Sequence, residues 1–120
     1  MILDKFNLEN KIAVVIGGTG GIGGALSVGL AEAGANVVAT SRNAEKVANV
    51  TEKISSLGRE TLTILTDATS EEDMRMLYDR VLENFGRVDI LINAAGVNIR
   101  NPLVDMSYND WSKVINTNLD

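Results

Sequence analysis

Apolar residues along this chain fall into two alternating rhythms. Residues 11–16 form a short apolar run that ends in glycines, and from Gly21 onward Ile22, Ala25, Leu26, Leu30 and Ala33 recur at helical spacing, which predicts a strand, a tight turn and a helix. Gly34 stops that helix, and Asn36-Val37-Val38-Ala39-Thr40 reads as a buried second strand. Asn43 can cap a helix whose apolar positions are Val47, Val50, Ile54 and Leu57, with Gly58 closing it, and residues 61–66 read as a third strand. Ser70 precedes three acids suited to the positive end of a helix dipole. Met74, Leu77, Val81 and Phe85 then mark that helix's inner stripe, and Gly86 terminates it. A fourth strand is expected over residues 88–92. After an irregular stretch through Pro102, a last helix begins near Ser107 and buries Trp111, Val114, Ile115 and Leu119.

Strands that alternate with helices over short connections pack by right-handed crossovers into a parallel sheet covered on both faces. The expected fold is α/β: a Rossmann-type, doubly wound parallel sheet in three αβα layers, strand order 3-2-1-4 in the part present. One domain spans residues 1–120 and is cut inside its fourth helix; no linker or internal repeat marks a second. The crevice at the carboxyl ends of strands 1 and 4 is where such a sheet receives a ligand.

The turn after the first strand, Ile16-Gly17-Gly18-Thr19-Gly20-Gly21-Ile22-Gly23, opens a helix directly. A pyrophosphate needs bare backbone N–H groups there, and glycines let it approach them. The loop fits three glycine registers at once, Gly18-x-Gly20-x-x-Gly23, Gly17-x-x-x-Gly21-x-Gly23 and Gly17-x-x-Gly20-x-x-Gly23. It therefore implies dinucleotide binding without naming a subfamily. Gly24 and Ala25 follow Gly23 where a mononucleotide P-loop needs Lys and Ser or Thr.

Composition narrows the chemistry further. With no cysteine and no histidine, these 120 residues cannot build thiolate or imidazole metal sites or a Ser-His triad, and no metal site is expected. A net charge of -5 argues against a nucleic-acid surface, and no window is apolar for long enough to cross a membrane, so a cytoplasmic protein is expected. An NAD site commonly ends strand 2 with Asp or Glu for the ribose 2′-hydroxyl, but here Thr40-Ser41-Arg42 stands in that place. A guanidinium there suits a 2′-phosphate, which predicts NADP(H) rather than NAD(H).

Along nearly its whole length the chain resembles the short-chain dehydrogenase/reductase family. Phe6-x-Leu8-x-x-Lys11-Ile12-Ala13-Val14-Val15 is similar to the family's entry into strand 1, and Gly17, Gly21 and Gly23 match its TGxxxGxG loop. Asn93-Ala94-Ala95-Gly96 resembles its NNAG signature, Asp67-Ala68 its adenine-contacting position, and Trp111-x-x-Val114-Ile115-Asn116-Thr117-Asn118-Leu119 the start of its fourth helix. Ile16 replaces the loop's Thr, and Ala94 replaces the second Asn of the signature. The resemblance implies cofactor contacts from Gly17, Thr19, Gly20, Gly21, Ile22, Gly23, Ser41, Arg42, Asp67, Ala68, Asn93, Ala94, Ala95 and Gly96. Asn93 is implied chiefly as a brace between strands, while Asp89 reads as structural.

That family transfers a hydride between a nicotinamide and a carbonyl or secondary alcohol. It uses a Tyr as acid and base, a Lys that lowers the phenol's pKa and a Ser at the substrate oxygen, with an Asn, here Asn118, completing a tetrad. A cation beside a phenol favours phenolate, and a fixed donor stabilises charge on the oxygen. Neither Tyr78 nor Tyr108 has Lys four residues on, so the Ser and the Tyr-x-x-x-Lys pair are expected beyond residue 120. The chain alone is then expected to be inactive and weakly stable, with strand 4 as an exposed edge. The implied partners are a small carbonyl or alcohol substrate and, for a full-length member, a homodimer or homotetramer; Asn98-Ile99-Arg100-Asn101-Pro102 resembles members acting on sugar acids, while ketoacyl reductases share the framework. Two other readings are a complete, non-catalytic dinucleotide-binding module and an S-adenosylmethionine methyltransferase. The second lacks the acids it would want near the loop and at the end of strand 2.

Overall fold

The computed structural model describes residues 7–94, 98–100 and 107–119, with side chains up to residue 94 and over 107–115. Four strands form one sheet: β1 (Ile12–Ile16), β2 (Asn36–Thr40), β3 (Ile90–Asn93) and β4 (Asn98–Arg100), in the order β2-β1-β3-β4. The first three are parallel, with Val14 beside Val38 on one side and Leu91 on the other. Four helices complete the described fold: α1 (Gly21–Glu32), α2 (Ala44–Ser56), α3 (Glu71–Phe85) and α4 (Tyr108–Leu119).

The pleat of β1 divides the core in two. Ile12, Val14 and Ile16 face one way with Val38 and Leu91, and pack against Met74, Leu77 and Val81 of α3 and Trp111 and Ile115 of α4. Ala13 and Val15 face the other way with Val37, Ala39 and Ile92, and meet Ala31 of α1 and Val50 and Ile54 of α2. All five β1 residues are buried, as expected for a strand covered on both faces. Tyr78 holds α4 against α3, meeting the rings of Tyr108 and Trp111 edge-on at 5.3 and 5.2 Å. Each such pair contributes about 0.5–1.5 kcal/mol beyond its buried area.

Four expectations need correction. Residues 61–66 do run beside β2, but as an irregular segment with one parallel bridge, Ser41 to Leu65. Val37 N–H bonds the Glu60 carbonyl at 3.2 Å and Thr66 N–H the Ser41 carbonyl at 3.0 Å; between them the Thr40 hydroxyl, not a backbone group, takes the Ile64 carbonyl at 2.7 Å. A side chain occupying the middle of the ladder prevents a continuous strand. The fourth predicted strand, β3, is also not an open edge, since antiparallel β4 pairs with it from Leu91 to Asn93.

The α1 stripe is displaced in part: Leu26 and Leu30 do pack against the core. Ile22 is 72% exposed and Ala25 is exposed, whereas Gly23, Ser27 and Ala31 face the sheet. Close approach selects small residues on that face, and hydrophobicity alone does not report it. Leu57, placed in the α2 stripe, is 40% exposed because it caps the helix instead of lying within it.

Candidate functional site

The site is built where β1 and β2 end. Gly17 and Gly18 N–H groups bond the Thr40 carbonyl at 2.8 and 3.2 Å, so the glycine loop leaves β1 while anchored to the last residue of β2. Gly17 has φ 74° and Gly21 φ 56°, left-handed conformations that a side chain disfavours. Closeness constrains two further positions: a Cβ on Gly23 would run into the Gly17 carbonyl, and one on Gly18 would come within 2.8 Å of Ser27 Oγ. Ser27 Oγ lies 2.9 Å from both the Gly18 and Gly23 carbonyl oxygens, and so ties the loop to the helix it opens. Its inward position belongs to the small-residue face that hydropathy did not reveal.

Gly24 is the first residue of α1 to bond back, to the Gly20 carbonyl at 3.2 Å. The N–H groups of Gly21, Ile22 and Gly23 lie ahead of the helical ladder, no side chain caps them, and no acid occupies the first turn. Nothing would lie within 4 Å of a Cβ on Gly21. The space in front of this helix end is open, and its donors and dipole favour an anion.

Beside the loop, Gly17, Ser41, Arg42, Asp67 and Ala68 line one cleft of about 290 Å³ together with Ile16, Thr66 and Thr69. Five residues singled out from sequence, from three separate stretches of chain, thus meet at one place. Thr19 Oγ1 donates to Ser41 Oγ at 2.8 Å and joins the loop to the cleft. Arg42 is 79% exposed and lies 3.9 Å from the Asp67 carboxylate. The Thr69 hydroxyl and N–H both bond Asp67 Oδ1, at 2.7 and 2.9 Å, and with Arg42 they hold its carboxyl below the ordinary 3.8. Thr66 and Thr69 were missed; they line the cleft because residues 66–69 turn across the end of β2.

Asn93 ends β3 beside Ile16 and is buried, with Ala94 N–H bonding the Ile16 carbonyl at 2.8 Å. The Asn93 Oδ1 atom has no hydrogen-bond partner among the described residues. Ala95 and Gly96 lie outside the described residues. Asn118 belongs to α4, and its side chain likewise lies outside them. Asp89 is structural: its carboxylate is buried at the opposite end of the sheet, where it accepts from Ile12 N–H at 2.8 Å and Arg87 Nε at 2.9 Å. Among the described residues no cluster of His, Cys, Asp and Glu could hold a metal, and no helix is long and apolar enough to cross a membrane.

An open glycine-rich helix start at the carboxyl end of a parallel αβα sheet, next to a polar cleft at the end of β2, defines a Rossmann-type dinucleotide-binding fold. The family model for short chain dehydrogenases matches residues 11–120, and the chain belongs to that oxidoreductase family. It is 37% identical over 119 residues to the 2-dehydro-3-deoxy-D-gluconate 5-dehydrogenase of Escherichia coli K12, covering 99% of this chain and 46% of that one. Pseudomonas aeruginosa RhlG, solved with NADP, superposes with a TM-score of 0.68 at 40% identity over 76% of this chain and 36% of its own. A xylitol dehydrogenase solved with NAD+ gives 0.67 at 31% identity over 70% and 32%. The chain spans about half the length of the curated relatives it matches.

Proposed function

We propose that this chain is the cofactor-binding part of an oxidoreductase that moves a hydride between NADP(H), rather than NAD(H), and the carbonyl or secondary alcohol of a small molecule. The observation that carries the cofactor choice is Arg42: it follows the end of β2 and lines the cleft beside the glycine loop, where an NAD site would hold an acid. In this reading the N–H groups of Gly21, Ile22 and Gly23 receive the pyrophosphate, Asp67 and Ala68 border the adenine, and Arg42 faces the ribose 2′-phosphate. Gly20 leaves the loop bare beside that pyrophosphate, and Thr19 ties it to Ser41 at the end of β2. The bound nicotinamide supplies or accepts the hydride.

The family's Ser and Tyr-x-x-x-Lys pair are not among these 120 residues, so acid–base chemistry is assigned to chain outside them and Asn118 to the tetrad's supporting amide. Similarity to a sugar-acid dehydrogenase supports a carboxylated sugar as substrate class. The working assembly in this reading is a cytoplasmic homodimer or homotetramer. The test is fluorescence titration of the whole chain that the gene encodes with NADPH and NADH. NADPH is expected to bind at least about tenfold tighter, a difference of about 1.4 kcal/mol, and Arg42→Ala to remove most of that margin. Equal affinities in the unaltered protein reject the assignment.

A further inference from the structure

We infer that Lys46, in the first turn of α2, is a second cation of the dinucleotide site and reads the 2′-phosphate alongside Arg42. The inference rests on the NADP(H) reading above and deepens it. Lys46 Nζ lies 3.6 Å, and its Cδ 3.9 Å, from where a Cβ on Gly20 would stand, so the side chain extends over the bare glycine loop. A relay of hydrogen bonds holds the first turn of α2 there. The Asn43 side chain accepts from Lys46 N–H at 3.0 Å, Asn43 N–H donates to Ser41 Oγ at 3.3 Å, and the same Ser41 oxygen accepts from Thr19 at 2.8 Å. Lys46 therefore stands over the residue that follows Thr19, while Arg42 is the residue that follows Ser41, and the hydroxyl pair lies between them.

Charge distinguishes the two cations. Arg42 shares the Asp67 carboxylate, so an incoming phosphate meets a guanidinium whose charge is already partly offset. Among the described residues no carboxylate forms an ion pair with Lys46. The uncompensated positive charge at this end of the site is its ammonium. A Cβ on Gly20 would stand in ordinary contact with the Lys46 ammonium and stem, so the lysine reaches the loop at this residue.

The experiment uses the whole chain that the gene encodes, with calorimetric or fluorescence titration of NADPH, NADH, adenosine 2′,5′-bisphosphate and AMP against the unaltered protein, Lys46→Ala and Lys46→Arg. Lys46→Ala is expected to weaken NADPH and the bisphosphate by about tenfold while leaving NADH and AMP within about twofold, the scale of one lost charge-assisted bond. Lys46→Arg should restore most of the loss, and unchanged NADH binding shows that the loop has kept its shape. If the unaltered protein prefers NADPH and Lys46→Ala leaves that preference intact, or weakens NADH equally, Lys46 does not read the 2′-phosphate. Equal affinities in the unaltered protein instead overturn the cofactor reading, and this inference with it.

Discussion

Helices α1 and α3 begin after comparable turns and cover opposite faces of the same sheet, yet they are made differently. The N-terminus of α3 is closed: Ser70 Oγ accepts from Asp73 N–H at 3.1 Å, and Glu71, Glu72 and Asp73 occupy the first turn. Its inner face is Met74, Leu77, Tyr78 and Val81, large side chains that anchor it at some distance from the sheet. The α1 start has neither a side-chain cap nor an acid, and its inner face is Gly23, Ser27 and Ala31. A cap contributes about 1 kcal/mol and burying a large side chain about 1.5–3 kcal/mol. Lacking a cap, and burying Leu26 and Leu30 only in part, α1 trades stability for backbone that approaches closely and donors that stay free.

Replacing one inner-face residue in each helix can break this comparison. Leu77→Ala empties a fully buried position in α3 and is expected to cost about 3 kcal/mol in denaturant unfolding, with NADPH and NADH affinities unchanged. Gly23→Ala should also cost stability, because backbone, not a flexible side chain, stands where its Cβ would go. The better helix propensity of Ala returns only about 1 kcal/mol against that clash with the Gly17 carbonyl. Its effect on binding is the larger one, because the backbone that must yield is the loop itself; NADPH and NADH affinities should both fall by about tenfold or more. If Leu77→Ala harmed binding as much as Gly23→Ala, the division of labour between the helices would be wrong.

The same contrast separates what the sequence disclosed from what it hid. Elements whose signal is a large side chain at regular spacing or a capping residue were legible: α2 with Asn43, Val47, Val50 and Ile54, and α3 from Ser70 to Gly86. The site was legible where chemistry is written into residue type, at the glycines, Ser41-Arg42 and Asp67-Ala68. Hidden features depend on distance. The buried face of α1 carries small residues, and Ser27 belongs there through its hydroxyl's bonds to the Gly18 and Gly23 carbonyls, which hydropathy does not report. Residues 61–66 carry strand-forming side chains, but whether a ladder forms was decided by the Thr40 hydroxyl taking a carbonyl beside it. Nothing in the sequence sets Lys46 apart from other charged residues, and only the folded path of α2 brings it over Gly20.

The smallest effect sharpens the comparison at the cleft, where polar bonds serve geometry more than stability. Asp67 has its carboxyl lowered chiefly by the Thr69 hydroxyl, then by the Thr69 N–H, with a contribution from Arg42. A carboxyl whose folded pKa lies below its unfolded value stabilises the fold above the unfolded pKa and loses that contribution as pH falls through the folded one. Thr69→Ala removes the leading cause and leaves the backbone bond, so the Asp67 carboxyl should titrate nearer 3.8 than it does in the unaltered protein, followed by its carbon NMR shift. Any stability gap between the two proteins should be present near neutral pH and shrink as pH drops below about 4, the ordinary Asp range. The group is open to solvent, so the gap should be far smaller than that caused by Leu77→Ala. Should the Asp67 titration stay where it was after Thr69→Ala, the hydroxyl is not what holds this turn across the end of β2, and the position of the Arg42–Asp67 pair must be owed to the backbone alone.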